Sequence, residues 1–254
     1  MSWIVGIHPV EEALAAGKPI AELWLQQGKG NPALRALLQQ ARARRIPIRF
    51  RPKQALDRIA AGAVHQGVAA RVALVQRPDW RDWLRAFAPK PSSLLLALDG
   101  VTDPRNLGAC ARSAAAFGCD ALLVPRDRSA HPDAPAAIKA SAGALARLCV
   151  VIAPNLARLL RELAEKGVWI VGLSGDAERT IFDAKLDGAS AIVVGGENKG
   201  LRPIVRRACD EVVRIPMRGA VESLNVSVAA SIALFAAAAG RQQEACEESE
   251  SSSA

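Results

Sequence analysis

Two rhythms of apolar and polar positions divide this chain. Through residue 75 the periods are short. A helix is predicted over 7–14, a strand over 20–25, a helix that Asn31 caps with Pro32 at its first position, a strand over 46–50, a helix over 54–61 and a strand over 67–74. Together they predict a small α/β module. From residue 94 short apolar runs alternate with longer segments whose apolar residues recur every three or four positions. Strands are predicted over 94–98, 121–124, 168–173, 189–194 and 211–215, and helices over 106–117, 155–166, 202–209 and 223–239. Strands and helices in such alternation make a mostly parallel sheet.

The segments between and after carry other signals. Pro78, Pro89, Pro91 and two serines surround a short helix with Trp80 and Trp83, so 76–92 reads as a linker between a domain over 1–75 and a larger one over 93–240. Residues 241–254 are acidic and serine-rich with little to bury, and a disordered tail is expected there.

Composition sets the broad class. With half of its 254 residues hydrophobic the chain has enough apolar material for a full core. It opens without a basic leader and apolar run, and its longest apolar stretch, 226–239, is too short and alanine-rich to span a bilayer. A soluble cytoplasmic protein with no membrane partner is expected. The five cysteines are odd in number and form no CxxC pair, which suits reduced structural thiols and supports neither a disulfide framework nor a metal site.

Charge changes the picture because of where it lies. The net charge is +8, with twelve Lys/Arg against four Asp/Glu through Arg77 and twenty-one of each sign beyond it. Arg42, Arg44, Arg45, Arg49, Arg51, Lys53 and Arg58 form the densest run. A basic cluster on one module is the electrostatic footprint of a phosphate-backbone partner, and a solvated arginine-rich surface has the same composition.

The richest local chemistry lies between Val193 and Ala229. A buried strand runs into Gly195-Gly196, followed by Glu197-Asn198-Lys199-Gly200, a short basic helix, a strand ending Arg214-Ile215-Pro216-Met217, and Glu222-Ser223-Leu224-Asn225-Val226-Ser227 opening an alanine-rich helix. Glycines let a backbone approach a ligand closely, and open α/β sheets bind ligands where strands end. No GxGxxG, P-loop, HExxH or GxSxG is present, which removes the ordinary dinucleotide, NTPase, metalloprotease and hydrolase readings. A further motif follows the strand over 94–98: Asp103-Pro104 starts a helix, Leu107, Cys110, Ala111 and Ala114 form its buried stripe, and Arg105 and Arg112 fall on the other face with Asn106 near its positive end.

Asn106-Leu107-Gly108 through Arg112, Gly195-Gly196-Glu197 through Gly200-Leu201, and Ser223-Leu224-Asn225-Val226-Ser227 resemble, in order and spacing, the three motifs of the SpoU (TrmH) class of ribose 2′-O-methyltransferases, SPOUT enzymes. Upstream, Gly6-Ile7-His8-Pro9-Val10-Glu11 and His65-Gln66-Gly67-Val68 resemble the substrate-binding domain of members that act on a guanosine of large-subunit ribosomal RNA. The likeness covers all but the acidic tail. It implies a small L30e-like RNA-binding domain followed by a parallel-sheet SPOUT domain with a trefoil knot, which periodicity could not predict. It further implies S-adenosylmethionine as cofactor, with Leu173, Gly195, Gly196, Ile215, Met217 and Leu224 lining its pocket. A homodimer is implied whose site is completed across the interface, the helix over 226–235 being a candidate contributor. RNA contacts are expected from Arg42, Arg44, Arg45, Arg49, Arg51, Lys53 and Arg105, and Lys139-Ala140-Ser141-Ala142-Gly143-Ala144 looks like the family's flexible loop near the substrate.

Methyl transfer to a ribose hydroxyl needs that hydroxyl positioned and its proton removed. By the resemblance Arg112 is the central catalytic residue, with Asn106, Glu197, Ser223 and Asn225 around it. A guanidinium with a pKa above about 12 is a poor base, so a phosphate clamp that also stabilises the forming alkoxide is the expected role for Arg112. Glu197 beside Lys199 and Arg202 also reads as a surface ion pair, and Ser223 and Asn225 as caps of the last helix. Two other readings share these features: a tRNA-directed enzyme of the same class, and a non-catalytic RNA-binding assembly factor on the same scaffold.

Overall fold

The computed structural model of the chain describes all residues except 1, 16, 18–19, 29, 73–76, 198–199, 220–222 and 252–254, and for residues 2 and 242–251 it describes the backbone alone. Asn198, Lys199 and Glu222 of the motifs, the end of the strand predicted over 67–74 and the boundary placed at 75–76 therefore lie outside the described residues. Contacts divide the chain into two compact units, Met1–Gln76 and Arg77–Ala254.

The first unit runs β1 (Ser2–Val5), α1 (Ile7–Ala15), β2 (Ile20–Gln26), α2 (Pro32–Ala43), β3 (Ile48–Arg51), α3 (Lys53–Ala60) and β4 (Val68–Val72). Its sheet has the order β1-β4-β2-β3, with β4 antiparallel to both neighbours and β3 parallel to β2. The Asn31 side chain accepts the Ala33 N–H at 2.9 Å and Pro32 opens α2, as the sequence predicts. One face of the sheet buries Leu23, Leu25, Val68 and Ala70 against Val10 and Leu14 of α1 and Leu34 and Leu37 of α2. Each such leucine contributes about 1.5–3 kcal/mol. On the other face the buried Glu22 carboxylate lies 2.9 Å from Arg49 Nε and 3.0 Å from Arg71 Nε.

The second unit runs α4 (Trp80–Ala86), β5 (Leu94–Asp99), α5 (Pro104–Ala116), β6 (Ala121–Pro125), α6 (Pro135–Ala140), α7 (Ala144–Arg147), β7 (Cys149–Ala153), α8 (Leu156–Ala164), β8 (Trp169–Leu173), β9 (Arg179–Thr180), β10 (Ser190–Gly195), α9 (Pro203–Arg206), β11 (Glu211–Arg214) and α10 (Val226–Ser251), with a 3-10 turn at Ile181–Asp183. Among the described residues its sheet has seven strands in the order β7-β6-β5-β10-β8-β11-β9, every pair parallel. Both faces are covered. Leu94, Leu96 and Leu98 pack with α5 and α10 residues, while Leu95 and Ala97 pack with Trp80, Leu84 and the leucines of α8. Burial on two sides explains why these strands read as continuous apolar runs.

Several elements differ from the sequence expectation. The segment 76–92 is more than a linker, because Trp80 and Leu84 are buried in the second unit's core. The helix predicted over 202–209 is the single turn α9, and α10 begins three residues after Ser223. It continues through Ser251, into the segment expected to be disordered. Glutamine, glutamate and alanine favour helix, and extension of an existing helix needs no new nucleus. β7, β9, α6 and α7 were not predicted. Residues 139–144, expected as a flexible loop, form the end of α6, a turn and the start of α7, with Ser141 buried and its Oγ donating to the Ile138 carbonyl at 2.8 Å. Gly108 allows this: a Cβ there would collide with the Ala137 carbonyl and Ala140 of α6.

Candidate functional site

Three loops leaving the carboxyl ends of neighbouring parallel strands converge. β8 ends at Leu173, β10 at Gly195 and β11 just before Ile215, and with the residues that open α10 they enclose a cavity of about 240 Å³. Leu173, Gly195, Gly196, Ile215, Met217 and Leu224 all line it, as do Glu197 and Ser223. Met217 and Leu224 are 40% and 37% exposed. Apolar side chains held open to solvent beside a cleft suit a ligand with a flat apolar part.

The glycine turn is built by close approach of backbone. A Cβ on Gly195 would overlap the Gly200 carbonyl, and one on Gly196 would overlap the Gly100 carbonyl oxygen. Gly196 N–H donates to the Asp99 carbonyl at 2.8 Å, and Gly200 N–H to the Gly196 carbonyl at 3.0 Å. The buried Asp99 side chain completes the brace by accepting the Arg202 N–H at 2.8 Å and its Nε–H at 2.6 Å. Arg202 is thus the partner of Asp99 and not of Glu197, while Lys199, the other cation the sequence set beside Glu197, lies outside the described residues. Sequence reasoning missed Asp99; a carboxylate closing the apolar run Leu94-Leu95-Leu96-Ala97-Leu98 was its signal, since a buried charge needs a partner. The loop after β8 has its own brace, in which Ser174 Oγ donates to Asp176 and Arg206 Nη1 reaches the same carboxylate at 2.8 Å. Those hydrogen bonds, Ser174 first, lower the Asp176 pKa.

At the wall formed by Glu197 the polar side chains make a directed chain. Asn225 caps α10: its Oδ1 accepts the Ser227 N–H at 2.9 Å and the Ser227 hydroxyl at 2.7 Å. With Oδ1 so engaged, Nδ2 donates to Asn106 Oδ1 at 3.2 Å, which leaves Asn106 Nδ2 to donate to the Glu197 carboxylate. Capping and site geometry are therefore one arrangement. Asn106 is in the first turn of α5, whose cap Asp103 accepts the Arg105 N–H at 2.8 Å. Beneath it Cys110 is fully buried, and burial, with the Glu197 carboxylate adding to it, pushes its thiol up to about 12. Such a thiol stays protonated and unreactive.

The predicted arginines divide. Arg112 and Arg105 stand exposed on α5, with Arg105 Nε 4.0 Å from Asp103, and Arg112 has no hydrogen-bond or ion-pair partner among the described residues. In the first unit Arg44 donates to the Leu14 carbonyl, Arg49 pairs with Glu22 and Arg51 lies over Trp24, while Arg42, Arg45 and Lys53 are exposed. His65 is buried, bonded to Asp57 at 3.0 Å and accepting the Gly67 N–H at 3.0 Å, a structural role. Among the described residues no group of three or more His, Cys, Asp or Glu could hold a metal ion, and no helix is long and apolar enough to cross a membrane.

Fold and cleft together define an α/β enzyme that takes a small ligand at the carboxyl ends of its parallel strands. The chain belongs to the SpoU rRNA Methylase family, whose model matches residues 93–235, and a model described as RNA 2′-O ribose methyltransferase substrate binding matches residues 3–78. It is 46% identical over 239 residues to the 23S rRNA (guanosine-2′-O-)-methyltransferase RlmB of Xylella fastidiosa, covering 92% of this chain and 95% of that one. The enzyme of the same name from Escherichia coli K12 is 42% identical, over 92% of this chain and 96% of its own. Among solved structures, the SpoU methyltransferase AviRb of Streptomyces viridochromogenes in complex with the cofactor AdoMet superposes with a TM-score of 0.65 at 25% identity, covering 95% of this chain and 90% of that one.

Proposed function

We propose that this chain transfers a methyl group from S-adenosylmethionine to the ribose 2′-hydroxyl of a specific guanosine in 23S ribosomal RNA. The observation that carries the reading is the glycine-walled cleft with the Asn225–Asn106–Glu197 chain at its wall, in a chain so similar to curated 23S rRNA guanosine-2′-O-methyltransferases. The residues fit the cofactor. Leu173, Ile215, Met217 and Leu224 offer apolar surface to an adenine ring and a methionine side chain, and Gly195 and Gly196 bring the backbone itself to the wall of the cleft. When bound, the cofactor supplies an electrophilic methyl group on a sulfonium.

The chain's own residues then position the acceptor. The Glu197 side chain accepts from the Asn106 amide and so fixes it, and Asn225 fixes it from the other side. Arg112, six residues along the same helix and unpaired among the described residues, is assigned to the target phosphate and to the charge that develops on the ribose oxygen. Ser223, in the cleft wall, is assigned to the ribose. The exposed Arg42, Arg45, Lys53 and Arg105 are assigned to phosphates elsewhere on the RNA. The second unit is read as a knotted SPOUT domain that works as a cytoplasmic homodimer. Val228 and Phe235 of α10, 45% and 61% exposed, supply apolar surface for a second copy.

The test is transfer of labelled methyl from S-adenosylmethionine to rRNA from a strain lacking its own ribose methylation, wild type against Arg112→Ala. Label on one guanosine 2′-oxygen of large-subunit RNA, lost in the variant, is the expected result. Label on tRNA alone overturns the substrate, and no label with RNA binding intact overturns the activity.

A further inference from the structure

One aromatic side chain of the first unit is presented to solvent in a stretch of sequence rich in arginine. Phe50 is 56% exposed in β3, between Arg49 and Arg51. Both arginines are held on the opposite sheet face, Arg49 by Glu22 at 2.9 Å and Arg51 over the Trp24 ring at 4.9 Å, so neither covers the phenyl ring. β3 is also an edge strand, paired with β2 alone among the described residues. The carbonyls of Pro47 and Arg51 accept N–H groups of Leu23 and Gln27 at 2.8 and 2.9 Å. Strand alternation therefore turns the N–H and C=O of Ile48 and Phe50 toward the open edge. Exposed Arg42 and Arg45 precede this strand in sequence and exposed Lys53 follows it.

We propose that Phe50 is a stacking platform for an unpaired base of the RNA substrate, and that the free edge of β3 offers backbone hydrogen bonds to that base. The proposal rests on the reading of the chain as an RNA methyltransferase and adds the form of RNA that its first unit takes. Single-stranded RNA joins a polyanionic backbone to flat apolar faces, the combination that matches an exposed phenyl ring on a strand preceded and followed in sequence by exposed cations. Duplex RNA hides its base faces in the stack. A protein strand added along this edge would meet arginines on both sides of the phenylalanine, the residue type that guards edges against such pairing.

The experiment uses the full chain and two labelled RNAs, a hairpin with an open loop and the same stem closed as a duplex, followed by fluorescence anisotropy. Phe50→Ala is expected to weaken hairpin binding about tenfold and to leave duplex binding within about twofold, and Phe50→Trp to restore the hairpin affinity. Because the ring is more than half exposed, the melting curve of Phe50→Ala should overlay that of wild type. Unchanged hairpin affinity, or an equal loss on both RNAs, overturns the platform. If wild type methylates rRNA while Phe50→Ala is silent in both assays, stacking alone fails. If wild type neither binds the hairpin nor methylates, the proposed function fails and the platform with it.

Discussion

Asp99 and Arg202 are 103 positions apart, yet one carboxylate receives both the backbone N–H and the guanidinium of the other residue at 2.8 and 2.6 Å. The Asp99 side chain is fully buried and that of Arg202 is 31% exposed. This pair ties the end of β5 to the loop that follows β10, whose Gly195, Gly196 and Gly200 line the cleft. Asp99→Ala should cost about 2–3 kcal/mol, below the usual value for a broken buried pair because Arg202 keeps partial access to water. Urea unfolding measures the loss, and Asp99→Asn, which keeps an acceptor for the N–H, should lose less. Equal losses in the two variants would show that a neutral acceptor does not help and that charge pairing carries the whole effect.

Asn106 is held by donors and acceptors that run in one direction, from Asn225 to Glu197. Asn106→Asp replaces a donor with a second carboxylate facing Glu197. A fall in kcat of about 10- to 100-fold is expected, the worth of a hydrogen bond to a charged group. Calorimetric affinity for S-adenosylmethionine should stay within about twofold, since Asn106 does not line the cleft. A matching loss of cofactor affinity would place Asn106 in cofactor binding instead.

Gly195→Ala puts a methyl group into the Gly200 carbonyl. The turn must open, at about 1–3 kcal/mol of stability, and the cleft must change shape with it. Isothermal titration should show weakened S-adenosylmethionine binding together with a lowered urea midpoint. Wild-type values for both would mean that the turn has room the packing denies.

Burial pushes the thiols of Cys110, Cys119 and Cys209 from 9.0 up to about 12. A raised folded-state pKa means that the unfolded chain loses these protons first as pH rises. The associated stability is complete below pH 9 and is lost between pH 9 and about 12. The urea midpoint should therefore fall from pH 8 to pH 10, and a thiol reagent at pH 8 should label Cys110 only after unfolding. Rapid labelling of Cys110 in the native state would contradict its burial.

Much of the site was legible because its signals are local. Gly195 and Gly196 mark a turn of close backbone approach, Asp103-Pro104 a helix start, and Asn225 a cap, each acting within a few residues of itself. The six predicted lining residues fall in one cavity for the same reason, since each follows a strand or opens a helix. β7 went unread although Cys149-Val150-Val151-Ile152-Ala153 is a plain apolar run, because periodicity alone does not separate a short buried strand from buried helix. The basic cluster was legible as composition only. Which of its arginines are engaged depended on Glu22, Trp24 and the Leu14 carbonyl, all distant in sequence.

The sequence by itself determined the two rhythms, the parallel-sheet class, the family motifs and the segments that would carry chemistry, because apolar period, caps and glycine turns are encoded over a few neighbouring positions. The tertiary structure alone decided that β10 enters between β5 and β8, that Asp99 grips Arg202, that Asn106 joins Glu197 to Asn225, and that Phe50 stays in the open. Those outcomes depend on which surfaces exclude water from one another, and burial is settled between segments a hundred residues apart, beyond the reach of any local pattern.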